Sequence, residues 1–215
     1  MYRRIRHPQE HKMVVQAPGK TSHLDPGYRA ALVASAALNA IMFFVEGVVG
    51  LAIGSAALLA DAVDFFEDAG IYCLAVIALA WTLRGRAKAG MIMGLAMLAV
   101  GLVAIWQIAE RLLHGVAPAS AAMVLTASAA LAVNIYCASR LARWKRGDSS
   151  MRSIWLSTRN DAVLNGVTIL AAALVAWTAT GWPDIAAGVL IAAINIWAAF
   201  GIISQARREL KVSVG

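Results

Sequence analysis

The sequence predicts an all-α membrane protein of six transmembrane helices with both termini cytoplasmic. Three observations carry that expectation. Hydrophobic residues fill 60% of the 215 positions and charged residues only 14%, against about 45–50% and about 25% in a soluble domain. The apolar residues are gathered into six long blocks. Lysine and arginine then cluster in alternate connections and are absent from the others.

Residues 1–29 read as a basic cytoplasmic tail broken by Pro8, Pro18 and Pro26. The tail has no apolar core ahead of a small-residue cleavage site, so no cleavable signal peptide is expected. His7, His11 and His23 are irregularly spaced and read as solvated rather than as a metal site. The blocks then run Ala30–Ala52, Leu58–Trp81, Ala89–Leu113, Ala119–Leu141, Ser153–Trp177 and Asp184–Ser204. Each is about 21–25 residues, enough to cross a hydrocarbon core of about 30 Å. Backbone groups in lipid must be satisfied within their own segment, so each block is read as a helix. Residues 30–208 thus form a transport-sized helical domain, and residues 209–215 a short cytoplasmic tail.

Charge placement decides the orientation. Arg3, Arg4, Arg6, Lys12, Lys20 and Arg29 precede the first block. Arg84, Arg86 and Lys88 follow the second; Arg140, Arg143, Lys145, Arg146 and Arg152 lie around the fourth connection; Arg207, Arg208 and Lys211 follow the sixth. The stretches 53–57, 114–118 and 178–183 carry neither residue. The positive-inside rule therefore sets both termini in the cytoplasm. The same asymmetry accounts for the net charge of +7 and argues against nucleic acid as a partner. Trp81, Trp144, Trp155, Trp177 and Trp182 near block ends suit an interfacial belt against membrane lipid. Gly47, Gly50, Gly54, Gly90 and Gly94 are expected to let helices approach closely. Cys73 and Cys137 have no CxxC spacing and read as small packing residues.

Against this apolar background the stretch Leu58–Asp68 stands out, with Asp61, Asp64, Glu67 and Asp68 inside eight positions. At about 100° per residue Asp61, Asp64 and Asp68 share one helix face, and Glu67 falls off it. One ionised Asp at the centre of a membrane helix costs about 2.5–3.5 kcal/mol even on the mildest scale. Three on one stripe demand a cation or a water-filled cavity. Glu46, Glu110 and Asp161 are also within the predicted spans, where Arg159 and, at a helix end, Arg111 are the basic residues. Mutual neutralisation cannot account for the whole set.

In the fifth block Ser157, Asp161, Asn165 and Thr168 form a stripe of oxygen-bearing side chains. Asn39 and Glu46 share a face of the first helix, and Asn134 stands alone in the fourth. At about 1.5 Å per residue Asp64 and Asp68 are expected roughly 9 and 15 Å from the outer end of helix 2, and Asp161 roughly 12 Å from the inner end of helix 5. They can meet near the midplane. Three carboxylates with serine or asparagine oxygens, and no histidine in any span, make a hard, oxygen-dominated site for a divalent cation.

These residues carry a resemblance. Asn39 through Glu46, then Gly-Ser-Ala-Ala-Leu-Leu-Ala-Asp-Ala-Val-Asp-Phe-Phe-Glu-Asp at 54–68, resemble the first two helices of the cation diffusion facilitator family of metal efflux transporters. Asn160-Asp161-Ala-Val-Leu-Asn-Gly-Val and Gly181-Trp182-Pro183-Asp184 fit the same family. The resemblance covers about residues 30–208 and implies a short form without the family's C-terminal cytoplasmic domain. It implies that helix 2 supplies the ligand pair Asp64 and Asp68 and that helix 5 supplies Asp161. The family's usual helix 5 histidine is replaced by Ser157, so the fourth ligand is left open between Ser157, Asn160 and water. Asp61, Asn39, Glu46 and Asn165 are secondary candidates.

The expected function is therefore proton-coupled efflux of a divalent transition-metal ion, with zinc first and cobalt, cadmium, iron or manganese as other candidates. The setting would be a bacterial inner membrane, with metal ions and protons as partners and a homodimer as the candidate assembly. The expected protein is a secondary transporter rather than an enzyme. The rival is a Mg-dependent membrane lipid-phosphate or prenyl transferase. Such an enzyme needs aspartate motifs at the membrane surface with Arg or Lys nearby for phosphate, and neither is visible in the predicted outer loops.

Overall fold

A computed structural model of the protein describes residues 25–77, 82–114, 117–146 and 149–212. Trp81 and the basic and histidine residues of the N-terminal tail before Asp25 lie outside the described residues. Six α-helices are present among the described residues: α1 Pro26–Ile53, α2 Ala56–Ile77, α3 Leu83–His114, α4 Ser120–Leu141, α5 Ser149–Thr178 and α6 Trp182–Val212. A short 3₁₀ turn, Ala142–Trp144, follows α4.

Several helices extend beyond their predicted bounds. The α1 helix starts at Pro26 rather than at Ala30, and α6 runs on to Val212, past the expected end of the domain at residue 208. Pro26 was read as a breaker, yet at the first position of a helix proline is favoured, because its missing N–H had no partner to lose. Asp25 supplies the cap: its Oδ1 accepts from the Gly27 N–H at 2.8 Å. The Trp144 indole N–H donates to the other oxygen at 2.9 Å, and the Trp144 ring packs on Tyr28 at 5.3 Å. The indole and then the Gly27 amide hold the Asp25 carboxyl below its ordinary pKa.

Among the described residues five helices are long and apolar enough to cross a membrane by length and composition, and α2 is not one of them. Its four carboxylates lower its hydropathy, but its surroundings are protein. Residues Ala56 to Val63, together with Phe65, Asp68 and Tyr72, are buried, and α2 packs against α1, α3, α5 and α6. The other helices turn large apolar side chains outward, among them Phe44, Trp106, Leu125 and Trp197, as a lipid-facing surface requires.

Small residues allow α2 its central place. A Cβ on Gly188 of α6 would lie 2.7 Å from the Ala56 carbonyl carbon, so α6 rides directly on the start of α2. Gly50 packs on Leu58 and Leu59, and Gly94 on Ile203. Two of the expected packing glycines act otherwise. Gly47 faces open space, and Gly54 forms the α1–α2 turn with φ of 63°. Arg111 donates to the Ile53 carbonyl at 2.7 Å, and a Cβ on Gly54 would collide with its guanidinium. Gly54→Ala is expected to cost about 1–2 kcal/mol from the left-handed backbone alone. A melting temperature in detergent equal to that of the wild type would contradict this.

Candidate metal site

The site lies where α2 and α5 face each other inside the bundle. The α2 helix starts at Ala56 and α5 at Ser149, so Asp64 and Asp68 are about 12 and 18 Å along α2, and Asp161 about 18 Å along α5. The depths differ from the expected ones because both helices begin earlier, yet the three residues lie level across α2 and α5. Hydrogen bonds on either side bracket them: Tyr72, which donates to Asp68, lies 2.6 Å from Thr158 of α5, and Asn165 of α5 donates to Asp61 at 2.7 Å. Asp68 and Asp161 are buried, and Asp64 is half-buried.

Among the described residues no group of three or more Asp, Glu, His or Cys side chains is set to hold a metal ion. Asp161 Oδ2 is buried without a protein hydrogen-bond partner. A cation held by all three aspartates requires their side chains to rearrange.

Two neighbours were missed from the sequence. The Tyr72 hydroxyl donates to Asp68 Oδ2 at 3.0 Å and lies 2.6 Å from Thr158 Oγ1. Thr158 can also donate to the Ile154 carbonyl at 2.9 Å. Both side chains are buried, and the hydroxyls join α2 to α5 beside the aspartates. The signal was available: Tyr72 is one turn beyond Asp68 on the same face, and a buried phenol needs a polar partner.

The remaining candidates are divided. Ser157 is half-buried, and Asn160 is on the exposed side of α5, where its Oδ1 accepts from Arg159 at 3.2 Å. Asn160 is thus not brought to the aspartates. One step toward the α1–α2 turn, Asn165 donates to Asp61 Oδ2 at 2.7 Å and accepts from Asn134 at 2.9 Å. Asn39 donates to the Ser35 carbonyl at 2.8 Å and contacts the Cys137 sulfur at 3.8 Å. Glu46 is fully buried, with no protein hydrogen-bond partner on either oxygen. Thr168 makes a long bond of 3.4 Å to the Leu164 carbonyl, and Glu67 is half-buried.

Asp184, at the start of α6, serves structure. It is fully buried and accepts from the Ser55 hydroxyl at 2.6 Å and from the Ala56 and Ala57 N–H groups at 2.8 and 3.1 Å. A carboxylate from one helix thereby caps another, satisfying N–H groups that have no partner inside α2. Asn195 of α6 also ties α2 down, donating to the Ala60 carbonyl at 2.8 Å.

A comparison with curated proteins found no match. Residues 32–211, the greater part of the chain, match the family described as the cation efflux transmembrane domain. That family transports divalent cations, in keeping with an acidic centre inside a helical membrane bundle. The chain belongs to the cation efflux family of membrane transporters.

Proposed function

We propose that the protein exports a divalent transition-metal ion in exchange for protons, with Asp64, Asp68 and Asp161 as the metal ligands. The observation that carries the reading is the burial of Asp68 and Asp161 where α2 and α5 are tied together on either side, through Tyr72 and Thr158 and through Asp61 and Asn165. Ionised, these carboxyl groups offer oxygens from two helices to one cation. Protonation removes their charge and expels it. Exchange follows from competition of protons and metal for the same oxygens. The basic connections favour cytoplasmic termini in a bacterial inner membrane, so loading is from the cytoplasm. Family membership and the burial of the carboxylates favour transport over Mg-dependent phosphate or prenyl chemistry.

Ser157 is the neutral fourth donor in this reading, and Asn160, turned outward, has no part in it. An all-oxygen set discriminates less in favour of zinc than one with an imidazole, and admits cobalt, cadmium, iron and manganese. Ser157→His is expected to tighten Zn²⁺ binding by about tenfold or more over wild type, with little change for Mn²⁺. Competitive titration of the purified protein checks this, and equal gains for both ions would contradict it. The reading as a whole is tested in inverted vesicles. An imposed pH gradient should drive Zn²⁺, Co²⁺ or Cd²⁺ uptake that Asp64→Ala abolishes, and uptake surviving that change would overturn it.

A further inference from the structure

A second acidic centre lies one step nearer the α1–α2 turn. Ring contact between Phe43 and Phe66 at 5.4 Å and packing of Gly50 on Leu58 and Leu59 bracket Glu46, setting it level with the Asp61 turn of α2. Glu46 and Asp61 are both fully buried, and Asn134 is 1% exposed. Both Glu46 oxygens, Asp61 Oδ1 and Asn134 Oδ1 have no protein hydrogen-bond partner. Asn165 clamps the other Asp61 oxygen and orients Asn134. The described parts of α1 beyond Arg29, of α2, of α4 before Arg140 and of α5 beyond Arg159 contain no Lys, Arg or His.

Helix glue does not account for this arrangement. Asp184, a carboxylate that binds helices together, has both oxygens partnered, whereas Glu46 has neither. A proton on Glu46 supplies one hydrogen, which can engage only one of the facing oxygens and leaves the others unpartnered. A divalent cation, bare or hydrated, would engage carboxylate and amide oxygens together, as hard ions do.

We propose that Glu46, Asp61 and the Asn134 side-chain oxygen form a second cation subsite, to which the transported ion passes from Asp64, Asp68 and Asp161. This rests on the reading of those three residues as the primary site. Asp61 and Asp64 are about 4.5 Å apart along the helix axis. Two divalent ions that close would repel strongly, so one ion occupies the two subsites in turn. The second subsite is a station on the path, and its loss slows passage more than it weakens loading.

The test is Zn²⁺ equilibrium dialysis and Zn²⁺ flux in proteoliposomes with the full chain. Asp64→Asn should leave weakened but measurable binding, which Asp64→Asn combined with Glu46→Gln should remove. Glu46→Gln alone should keep the dissociation constant within about twofold and lower kcat by about tenfold or more. Asp61→Asn is the second variant, should Glu46→Gln fail to fold. Residual binding that is absent in Asp64→Asn, or that survives in the double variant, would overturn the subsite, as would unchanged flux in Glu46→Gln. The primary site fails separately if Asp64→Asn binds like wild type. The second subsite then stands only if Glu46→Gln removes that binding.

Discussion

Asp161→Asn is expected to reduce Zn²⁺ flux by about 100-fold or more while leaving the protein as stable as wild type or slightly more so. The two effects diverge because the site is built against stability. Asp161 is buried on α5, level with Asp64 and Asp68 of α2, and carboxyl groups in a buried setting carry a desolvation penalty that an amide does not. An asparagine N–H₂ can donate to both Asp64 and Asp68 and so keep the helices in contact. It cannot supply the negative charge that binds a divalent ion, nor take up the proton that releases one. Flux in proteoliposomes and melting temperature in detergent, measured on the same preparation, check the pair of outcomes. Flux within about twofold of wild type would remove Asp161 from the mechanism. A large fall in melting temperature would make its role structural.

Asp184→Ala should do the opposite, lowering stability by about 3 kcal/mol or more. The change strips partners from the Ser55 hydroxyl and from the Ala56 and Ala57 N–H groups at once, in a region where Ala56, Ala57 and Leu58 are wholly buried. Water cannot readily replace the carboxylate there. The start of α2 should loosen from α6 and carry Asp61 and Asp64 with it. The expected readout is a lower melting temperature and a smaller monodisperse fraction in detergent. Zn²⁺ affinity should fall less than in Asp161→Asn once correction is made for the folded fraction. An unchanged melting temperature would show that the cap contributes little.

Much of the fold was legible because lipid leaves the chain few choices. Apolar blocks long enough to span must be helices, and their number and order follow from the blocks themselves. The ends were less legible. Pro26 looks like a stop when only its ring is considered, and like a start once Asp25 and Trp144 are seen to complete the cap. The exceptional status of α2 was visible as an acidic run, but its near-complete enclosure by four helices was not.

In the site, composition and helical spacing marked Asp61, Asp64, Asp68 and Asp161 as charges that need a partner in an apolar setting, and the family resemblance singled out Asp64, Asp68 and Asp161 as the proposed ligands. Helical spacing also put Asp61 on the Asp64–Asp68 face of α2 and Asn165 on the Ser157–Asp161 stripe of α5, as secondary candidates. Only the packing decided which polar groups converge. Ser157 and Asn160 are near neighbours on one helix, yet packing leaves Ser157 half-buried and Asn160 exposed, where it accepts from Arg159. Tyr72 and Thr158 entered the site because two helices crossed at one depth. The acidic run on α2 was announced by its own sequence. What each carboxyl group meets, whether a phenol, an amide or, for Glu46, no protein partner at all, depends on how neighbouring helices are rotated and on their relative depth, which side-chain packing across the bundle sets.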